Sequence, residues 1–498
     1  MIKLLLPFNH KMIPIMTTTR QIYFVTTVFF IAFLQPIIVQ SQNLKSIVDP
    51  IKAHLKILEK ENNLSGVVLI AKDGKPIYRE AFGFSNLPDG VKNKPDTKFN
   101  LASINKMFTA TAIMQLVESG KISLQDKIGQ YLTDYPNKTV ADSVTIHQLL
   151  THTSGMQSFW EEYDKLAKVN FKTVSDYLPL FVDKKLAFAP GSDFYYSNSG
   201  YMVLGLIIEK VSGQNYFDFV KEHIYQPAKM INTDAYELDN AIPNLATGYT
   251  MSLEEPGQWK NNIFSNLAKG TPAGGGYSTA DDLLNFANAL QNNILLSKEN
   301  VTLCTSGKVK YREGMYGYGF EENTINGHRI IGHTGGHDGI ACEIMIYPDL
   351  GYTVVILTNG EVENYWEASN LIKKQLVGST PSIDNFFYTK DIIKTVCDKG
   401  YEASIKEIEK NSKKYSLREN LIERYGFKLL FEKKTNQAID LFKLNLHFFP
   451  NSTYGYYYIS EAYRVSGQKK QAIEYLKLYI EKEPEDHDAQ LKYKLLMK

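Results

Sequence analysis

The chain has 498 residues, of which 44% are hydrophobic and 22% are charged, a composition typical of a soluble globular protein with two or three domains. A formal net charge of +1 excludes the basic excess with which proteins bind nucleic acid or anionic membranes. The three cysteines, Cys304, Cys342 and Cys397, are too few for a disulfide framework, and no cysteine–histidine cluster indicates a metal or another cofactor.

Residues 1–41 have the pattern of a signal peptide. Lys11 and Arg20 supply positive charge before an apolar run from Ile22 to Val39, and Val39-Gln40-Ser41 offers a cleavage site. The run is close to membrane-spanning length, so an uncleaved anchor is the alternative, although Pro36 interrupts it. We therefore expect a periplasmic or secreted protein, attached to the membrane only if this segment is retained.

Residues 42–380 have the pattern of one catalytic domain. Strand patterns lie near both of its ends, and Asp73-Gly74 is a strong signal for a hairpin turn. Strands at both ends with helices between them predict an α+β fold, in which helices flank an antiparallel sheet. The predicted elements are helices over Lys45–Glu61 and Tyr365–Val377, and strands over Gly66–Ala71, Lys75–Tyr78, Glu343–Tyr347 and Tyr352–Leu357.

Ser103 and Lys106 form a Ser-x-x-Lys segment just before a predicted helix, Met107–Glu118. A serine at a helix N-terminus has an unpaired backbone N–H, and a lysine three positions later lies on the same face. Lys106 can therefore accept the proton that makes the Ser103 hydroxyl nucleophilic. The pattern alone is weak, because Ser466 and Lys469 repeat it in a polar turn.

Tyr196-Ser197-Asn198 lies on a loop that enters a predicted helix, Met202–Val211. Side chains on such loops project into clefts. A cationic Lys106 would lower the pKa of the Tyr196 phenol and make it a usable base. Asn198 would hold Lys106 and a substrate carbonyl. The alternative is a packed tyrosine-rich loop, in a chain with 32 tyrosines.

His333-Thr334-Gly335-Gly336 is the third segment. Its glycines allow a substrate backbone to approach closely. The Gly336 N–H could join that of Ser103 in an oxyanion hole. A metal site through His333, His337 and Asp338 is the alternative, but this glycine-rich segment does not favour the helix that would align the two histidines.

Residues 381–498 are predicted to be helical and follow a linker over residues 378–381. Gln437-Ala438-Ile439 recurs as Gln471-Ala472-Ile473 after 34 residues, and Pro450 recurs as Pro484. This register resembles the tetratricopeptide repeat, whose stacked helices bind protein partners. The alternative is two ordinary amphipathic helical hairpins.

The three catalytic segments, in this order, resemble the serine β-lactamase and penicillin-binding-protein superfamily in its class C-like branch. That superfamily uses Ser-x-x-Lys, then Tyr-x-Asn, then a Lys/His-Thr-Gly strand. The resemblance covers about residues 45–378. It includes the stretches Leu149–Gly155, Ala273–Asp282 and Tyr318–Phe320.

The resemblance implies a role for each matched residue. Ser103 would be the acylated nucleophile, and Lys106 and Tyr196 would transfer protons. Asn198 would position Lys106 and the substrate. The N–H groups of Ser103 and Gly336 would form the oxyanion hole.

His333, Thr334 and Gly335 would line the strand against which the substrate binds. Many class C β-lactamases have lysine where this chain has His333, and histidine with a pKa of about 6.5 carries little charge at pH 7. The resemblance therefore favours a peptidase or esterase over a strong β-lactamase.

The sequence predicts an exported serine hydrolase that cleaves an amide or ester of a small molecule or peptide through an acyl-enzyme. The candidate activities are D-amino-acid peptidase, carboxypeptidase, esterase and weak β-lactamase. Activity should fall at low pH as His333 and Tyr196 become protonated. The alternative is an inactive protein of the same fold that binds a protein partner through its helical repeats.

Overall fold

The computed structural model describes residues 44–61, 64–252, 255–411 and 413–498. The chain divides into two units, Met1–His54 and Leu55–Lys498. In the first unit, the described residues 44–54 are helical. The predicted signal segment, residues 1–41, lies outside the described residues. Within the described ranges, no helix is both long and apolar enough to cross a membrane.

An eight-stranded antiparallel sheet forms the centre of the second unit. Its strands in chain order are β1 (Gly66–Lys72), β2 (Lys75–Phe82), β3 (Val309–Tyr311), β4 (Gly314–Tyr316), β5 (Glu321–Ile325), β6 (His328–His337), β7 (Ile340–Tyr347) and β8 (Tyr352–Thr358). Their spatial order is β2-β1-β8-β7-β6-β5-β4-β3. Both terminal parts of the catalytic region therefore contribute to one sheet, as predicted for an α+β fold.

The sequence explains the central strands. Strands β7 and β8 are buried along their whole lengths. Apart from Glu343 in β7, their residues are apolar or β-branched, which fits a sheet covered on both faces. The turn between β1 and β2 has Asp73 at φ 49° and Gly74 at φ 75°, the left-handed conformations of a tight hairpin. The predicted hairpin is confirmed.

Short two-stranded sheets pair Phe84–Asn86 with Val91–Lys92, Phe99–Asn100 with Tyr277–Ser278, and Tyr249–Met251 with Trp259–Asn261. The α-helices of the catalytic region are Asn105–Glu118, Ile128–Tyr131, Lys138–Ser143, Ile146–Leu150, Trp160–Tyr163, Asn198–Ser212, Tyr216–Val220, Ala280–Gln291, Lys298–Thr305 and Val362–Val377. Residues 55–60 are also helical. Shorter 3₁₀ turns occupy Ala102–Ile104, Lys168–Asn170 and Ser175–Leu180, and a π-helical turn occupies Lys221–Tyr225.

Helix Asn105–Glu118 runs through the core of the catalytic region. It is buried on nearly every face, as expected for a helix without a polar stripe. Phe108 packs edge-to-face on Phe286 and Tyr225, with ring centroids 4.9 and 5.3 Å away. This packing fixes the helix, and with it the Ser103 turn at its N-terminal end.

The C-terminal region is helical, as predicted. Its helices are Pro381–Lys399, Tyr401–Asn411, Glu419–Phe431, Thr435–Phe448, Thr453–Val465, Lys469–Lys482 and His487–Met497. Two of them, Glu419–Phe431 and Thr435–Phe448, are followed after 34 residues by Thr453–Val465 and Lys469–Lys482. A Cβ atom on Gly426 would lie 2.4 Å from the Phe442 ring, so the small residue permits close helix packing. The tetratricopeptide identity of these helices stays a prediction.

Ion pairs with buried carboxylates join the C-terminal helices to helix Val362–Val377 and the loop before it. Arg424 lies 2.9 Å from both Glu361 and Glu363, and Lys390 pairs with Glu367. Trp366 packs against the apolar core of the C-terminal helices. Since residues 55–498 form one compact unit, these contacts attach the helical region to helix Val362–Val377, which packs against β7 and β8.

Candidate active site

Ser103 lies in a strained turn between a short strand and the core helix. Ala102 has φ 41°, a conformation that costs a non-glycine residue about 1–3 kcal/mol. Its N–H donates to Asn100 Oδ1 at 2.8 Å. The turn Ala102–Ile104 then leads directly into the helix that begins at Asn105. This geometry places Ser103 at a helix N-terminus, as predicted.

Lys106 contacts three oxygen atoms. Its Nζ donates to Asn198 Oδ1 at 2.7 Å and to the Ala273 carbonyl at 2.5 Å, and it lies 3.1 Å from Ser103 Oγ. The first two are carbonyl oxygens, which can only accept. A neutral amine has two N–H groups, so both are used and the lone pair is left for the Ser103 hydroxyl.

Burial favours the same neutral state. Lys106 is fully buried, and desolvation holds its pKa well below the ordinary lysine value. Among the described residues, Lys106 has no carboxylate partner in an ion pair. Its polar contacts and its surroundings both support a lysine that accepts a proton from Ser103.

Tyr196 and Asn198 come from the start of helix Asn198–Ser212. Ser197 caps this helix by accepting a hydrogen bond from Gly200 N at 3.1 Å. The Tyr196 ring lies 4.8 Å from Lys106 Nζ. The helix begins four residues before the predicted start, so Asn198 lies in its first turn, where its side chain reaches Lys106.

The predicted charge state of Tyr196 is wrong. Burial raises the pKa of the phenol well above its usual value, and the nearby Ser103 hydroxyl opposes this only in part. Lys106 does not lower the Tyr196 pKa as expected, because a buried lysine shifts toward its neutral form and loses the charge that would act on the ring. Tyr196 is therefore protonated at neutral pH and suited to donate a proton.

Ser103, Tyr196, Asn198 and Gly336 line one pocket of about 180 Å³. Gly336 is exposed at its position on β6. The pocket thus brings the predicted nucleophile and both predicted oxyanion donors to the same space. Its remaining wall contains Asn100, Ala102, Phe159, Trp160, Asn266, Leu267, Ala273, Gly274, Gly275 and His337.

Gly335 is required by the contact between β6 and the Ser103 turn. A Cβ atom on Gly335 would lie 2.4 Å from the Leu101 carbonyl and 2.6 Å from Cys342 Sγ. At Gly336 the nearest atom would be 3.9 Å away. The two adjacent glycines therefore differ: the first permits packing against the nucleophile, and the second faces open space.

His333 does not lie on the pocket wall. It is buried, accepts a hydrogen bond from the Tyr316 hydroxyl at Nε2 at 2.9 Å, and donates from Nδ1 to the Thr334 carbonyl at 2.5 Å. Burial lowers its pKa to about 4, although Glu321 opposes the shift. The expectation that His333 titrates near neutral pH is wrong, because the site removes it from water.

Thr334 and Gly335 lie along an adjoining cavity of about 490 Å³ that shares Gly336 with the pocket. Thr334 donates to Glu321 Oε1 from its hydroxyl at 2.6 Å and from its N–H at 3.1 Å. Ser382 and Arg418 of the C-terminal region line the same cavity. The strand that was predicted to bind substrate therefore connects the pocket with the helical region.

The second Ser-x-x-Lys segment and the alternative metal site do not have the geometry seen around Ser103. Ser466 ends helix Thr453–Val465, and its hydroxyl donates to the Tyr463 carbonyl at 2.8 Å. His337 Nε2 bonds to the Ser265 carbonyl at 2.6 Å, and no His, Cys, Asp and Glu cluster suited to a metal occurs within the described ranges. All three cysteines are free thiols.

Sequence reasoning missed two residues of the site. The Ala273 carbonyl holds Lys106, and Tyr316 holds His333. The run Gly274-Gly275-Gly276 marked a close backbone approach next to Ala273 and could have indicated the first contact. Tyr316 carries no comparable signal, because one tyrosine among 32 is not distinctive.

A larger cavity of about 550 Å³ lies elsewhere in the second unit. Its wall includes Lys56, Phe84, Tyr249 and Trp259. Its one serine, Ser65, donates a hydrogen bond to Asn359 Oδ1 at 2.8 Å. Without a base on that hydroxyl, this cavity does not offer the chemistry of the smaller pocket.

Comparison with known proteins agrees with the geometry. The chain is 30% identical to Penicillin-binding protein 4* of Bacillus subtilis (strain 168) over 336 residues, which cover 63% of this chain and 72% of that protein. It is 27% identical to Protein flp of Staphylococcus aureus (strain MW2) over 313 residues, 61% of each.

A solved penicillin-binding protein from Bacillus halodurans has the same fold. The match has a TM-score of 0.59 and 31% identity, and covers 64% of this chain and 98% of that one. Residues 47–376 match the Beta-lactamase family, and this range contains every residue of the pocket. The chain therefore belongs to the Beta-lactamase family.

Proposed function

We propose that this protein is a serine hydrolase that cleaves an amide or ester through an acyl-enzyme on Ser103. The proposal rests on the hydrogen-bond contacts of Lys106. Two carbonyl acceptors take its N–H groups, and burial favours the neutral amine. The remaining lone pair faces the Ser103 hydroxyl, which is the arrangement that a serine nucleophile needs.

In acylation, Ser103 Oγ attacks the substrate carbonyl carbon and its proton moves to Lys106 Nζ. The N–H groups of Ser103 and Gly336 stabilise the oxyanion. Tyr196, which is protonated, donates to the departing nitrogen or oxygen as the scissile bond breaks. In deacylation, water attacks the ester carbonyl and gives a proton to the Tyr196 phenolate. Protonated Lys106 returns its proton to Ser103 Oγ as the ester bond breaks, so that Ser103, Lys106 and Tyr196 all regain their starting forms.

The pocket supports substrates with a compact group at the acyl side. Its volume of about 180 Å³ is bounded by Phe159 and Trp160. We propose peptides of D-amino acids, carboxypeptidase substrates and short esters as the substrate class. Neutral His333 supplies no fixed positive charge for a β-lactam carboxylate, so we propose weak β-lactamase activity at most.

We further propose export, and a role for the C-terminal helices in restraining the cleft or binding a protein partner. Ser382 and Arg418 support the first role, because they line the cavity next to Gly336. The rival hypothesis of an inactive binding protein predicts a disrupted site. The intact contacts among Ser103, Lys106 and Asn198 support the catalytic proposal instead.

A substrate panel with matched variants tests the proposal. D-amino-acid amides and peptides, p-nitrophenyl acetate and a chromogenic cephalosporin are incubated with the wild type, Ser103→Ala and Ser466→Ala. We expect turnover of an ester or D-amino-acid amide that disappears in Ser103→Ala and persists in Ser466→Ala. Turnover that persists in Ser103→Ala, or inertness of the wild type to the whole panel, would contradict the proposal.

A further inference from the structure

His152 is a buried residue in a strained conformation directly behind the Tyr196 loop. It follows helix Ile146–Leu150, has φ 60°, and is fully buried. Left-handed backbone at a residue with a bulky side chain is uncommon and persists only when surrounding contacts hold it. The contacts of His152 must therefore hold this conformation in place.

His152 accepts two hydrogen bonds from the Tyr196 loop. Its carbonyl accepts from Tyr195 N at 2.9 Å, and its Nδ1 accepts from Ser197 N at 3.1 Å. These donors are the residues on either side of Tyr196, and Ser197 also precedes Asn198. One histidine thus holds the backbone on both sides of the proton donor.

The ring of His152 packs against the side chain that its bonds position. Its centroid lies 4.2 Å from that of Tyr196, and Tyr201 and Tyr316 lie 5.1 and 4.8 Å away. Because Nδ1 accepts, the neutral ring carries its proton on Nε2. Nε2 has no hydrogen-bond partner among the described residues, and leaving such a buried donor unpaired lowers stability.

A strained backbone and an unpaired donor at one residue indicate a requirement other than stability. We propose that His152 is a positioning residue that sets the Tyr196 hydroxyl and the Asn198 amide relative to Ser103 and Lys106. This inference rests on the proposed acyl transfer, in which Tyr196 donates a proton and Asn198 holds Lys106.

Histidine suits this position because it accepts a hydrogen bond without bringing a negative charge. Burial keeps the pKa of His152 well below its usual value, so the ring stays neutral. A carboxylate in its place would also accept the Ser197 N–H. It would, however, raise the pKa of Lys106 and remove the base.

Three substitutions separate the acceptor from the backbone conformation. His152→Asn keeps an acceptor near the Nδ1 position and tolerates positive φ. His152→Gly relieves the backbone but lacks the acceptor, and His152→Gln places its amide near Nε2 instead. His147, whose ring bonds to the Tyr318 hydroxyl at 2.8 Å, provides a control substitution, His147→Asn, in the same segment.

The readout is the acylation rate with a fluorophosphonate and kcat and KM with an ester, alongside unfolding in urea. We expect His152→Asn to stay within about tenfold of the wild type. His152→Gly and His152→Gln should lose about 100-fold in kcat, with little change in KM, because small misplacements of reacting groups have effects of this size. Equal rates for the Gly and Asn variants, or a Gln variant faster than Asn, would overturn the inference.

Crystal structures of the variants separate this inference from the proposed function. Displacement of the Tyr196 hydroxyl from Ser103 in His152→Gly, and its return in His152→Asn, would support positioning whatever the activity of the wild type. An unmoved Tyr196 in His152→Gly would overturn it. A wild type that no fluorophosphonate labels would instead overturn the proposed function.

Discussion

At the scale of single residues, the state of Lys106 decides how the site works. A charged lysine in this position would have three hydrogens for two carbonyl oxygens and a hydroxyl, and it could not accept the Ser103 proton. Burial favours the neutral amine, and no carboxylate in the described part of the chain pairs with Lys106. Tyr196, also buried, keeps its proton. Burial therefore makes Lys106 the base, by favouring its neutral form, and Tyr196 the acid, by favouring its protonated form.

The rate of acylation should follow the protonation of Lys106. We expect it to rise from acid pH to a plateau below the ordinary lysine pKa, with no decline up to about pH 10, because the Tyr196 pKa is raised. His333, with a pKa of about 4, should add no inflection near neutrality. Stopped-flow acylation over pH 5 to 10 measures this profile, and a maximum near pH 7 would contradict it.

Tyr196→Phe should lower that plateau by a factor of about 100 to 10,000, the usual contribution of a general acid. The rising limb should keep its midpoint, since it belongs to Lys106. Tyr195→Phe is the matched control, because Tyr195 is exposed. A shifted midpoint in Tyr196→Phe would instead assign the titration to the phenol.

Lys106 should also make stability depend on pH. Its folded pKa lies below the unfolded value of 10.5, so between the two values the unfolded chain binds the extra proton. The free energy of unfolding of the wild type should therefore rise with pH relative to Lys106→Met, by up to about 1.4 kcal/mol per pH unit. Urea unfolding at pH 8, 9 and 10 tests the sign, and a constant or falling difference would contradict it.

At the scale of elements, the sequence predicted where residues lie within helices and turns better than it predicted the contacts between different elements. The 3.6-residue spacing placed Lys106 beside Ser103, and Asp73-Gly74 identified the first hairpin, because both are local effects. The burial of His333 depends on Tyr316 from another strand and Glu321 beside it, which no local pattern reveals. The extension of helix Asn198–Ser212 to Asn198 was missed because Ser197, its cap, resembles an ordinary loop residue.

Strand β6 offers a matched pair of substitutions. Gly335→Ala should lower the free energy of unfolding by about 1–3 kcal/mol and slow acylation, because its methyl group would collide with the Leu101 carbonyl next to the nucleophile turn. Gly336→Ala has free space and should leave the unfolding midpoint nearly unchanged. Thermal unfolding of both variants checks this, and similar midpoints would contradict the packing of β6 on the turn.

At the scale of the whole molecule, the catalytic and C-terminal regions have separate apolar cores but are joined by ion pairs whose carboxylates are buried. Glu363 is buried, and burial raises its pKa although Arg424 opposes the shift. Arg424 therefore stabilises a carboxylate that would otherwise favour the protonated form. The α+β fold and the helical C-terminal region were both predictable from periodicity. This interface was not predictable, because charged residues along a helix usually form a face exposed to solvent.

Arg424→Leu should lower the free energy of unfolding by about 1–3 kcal/mol. This loss is smaller than that expected for a fully buried ion pair, because Arg424 is 40% exposed. The loss should be larger at pH 8 than at pH 5, where Glu363 is more readily protonated and needs no partner. Lys477→Leu, which breaks an exposed pair with Glu481 at 3.9 Å, should have almost no effect. Equal effects of the two substitutions would contradict the structural role of the interface.

Covalent capture of Ser103 tests the central claim most directly. Intact-mass spectrometry after reaction with a fluorophosphonate, followed by peptide mapping, should show one adduct per chain, located on Ser103. Ser103→Ala should give no adduct, and Ser466→Ala should react like the wild type. An adduct that persists in Ser103→Ala, or that maps to another residue in the wild type, would contradict the assignment of Ser103 as the nucleophile.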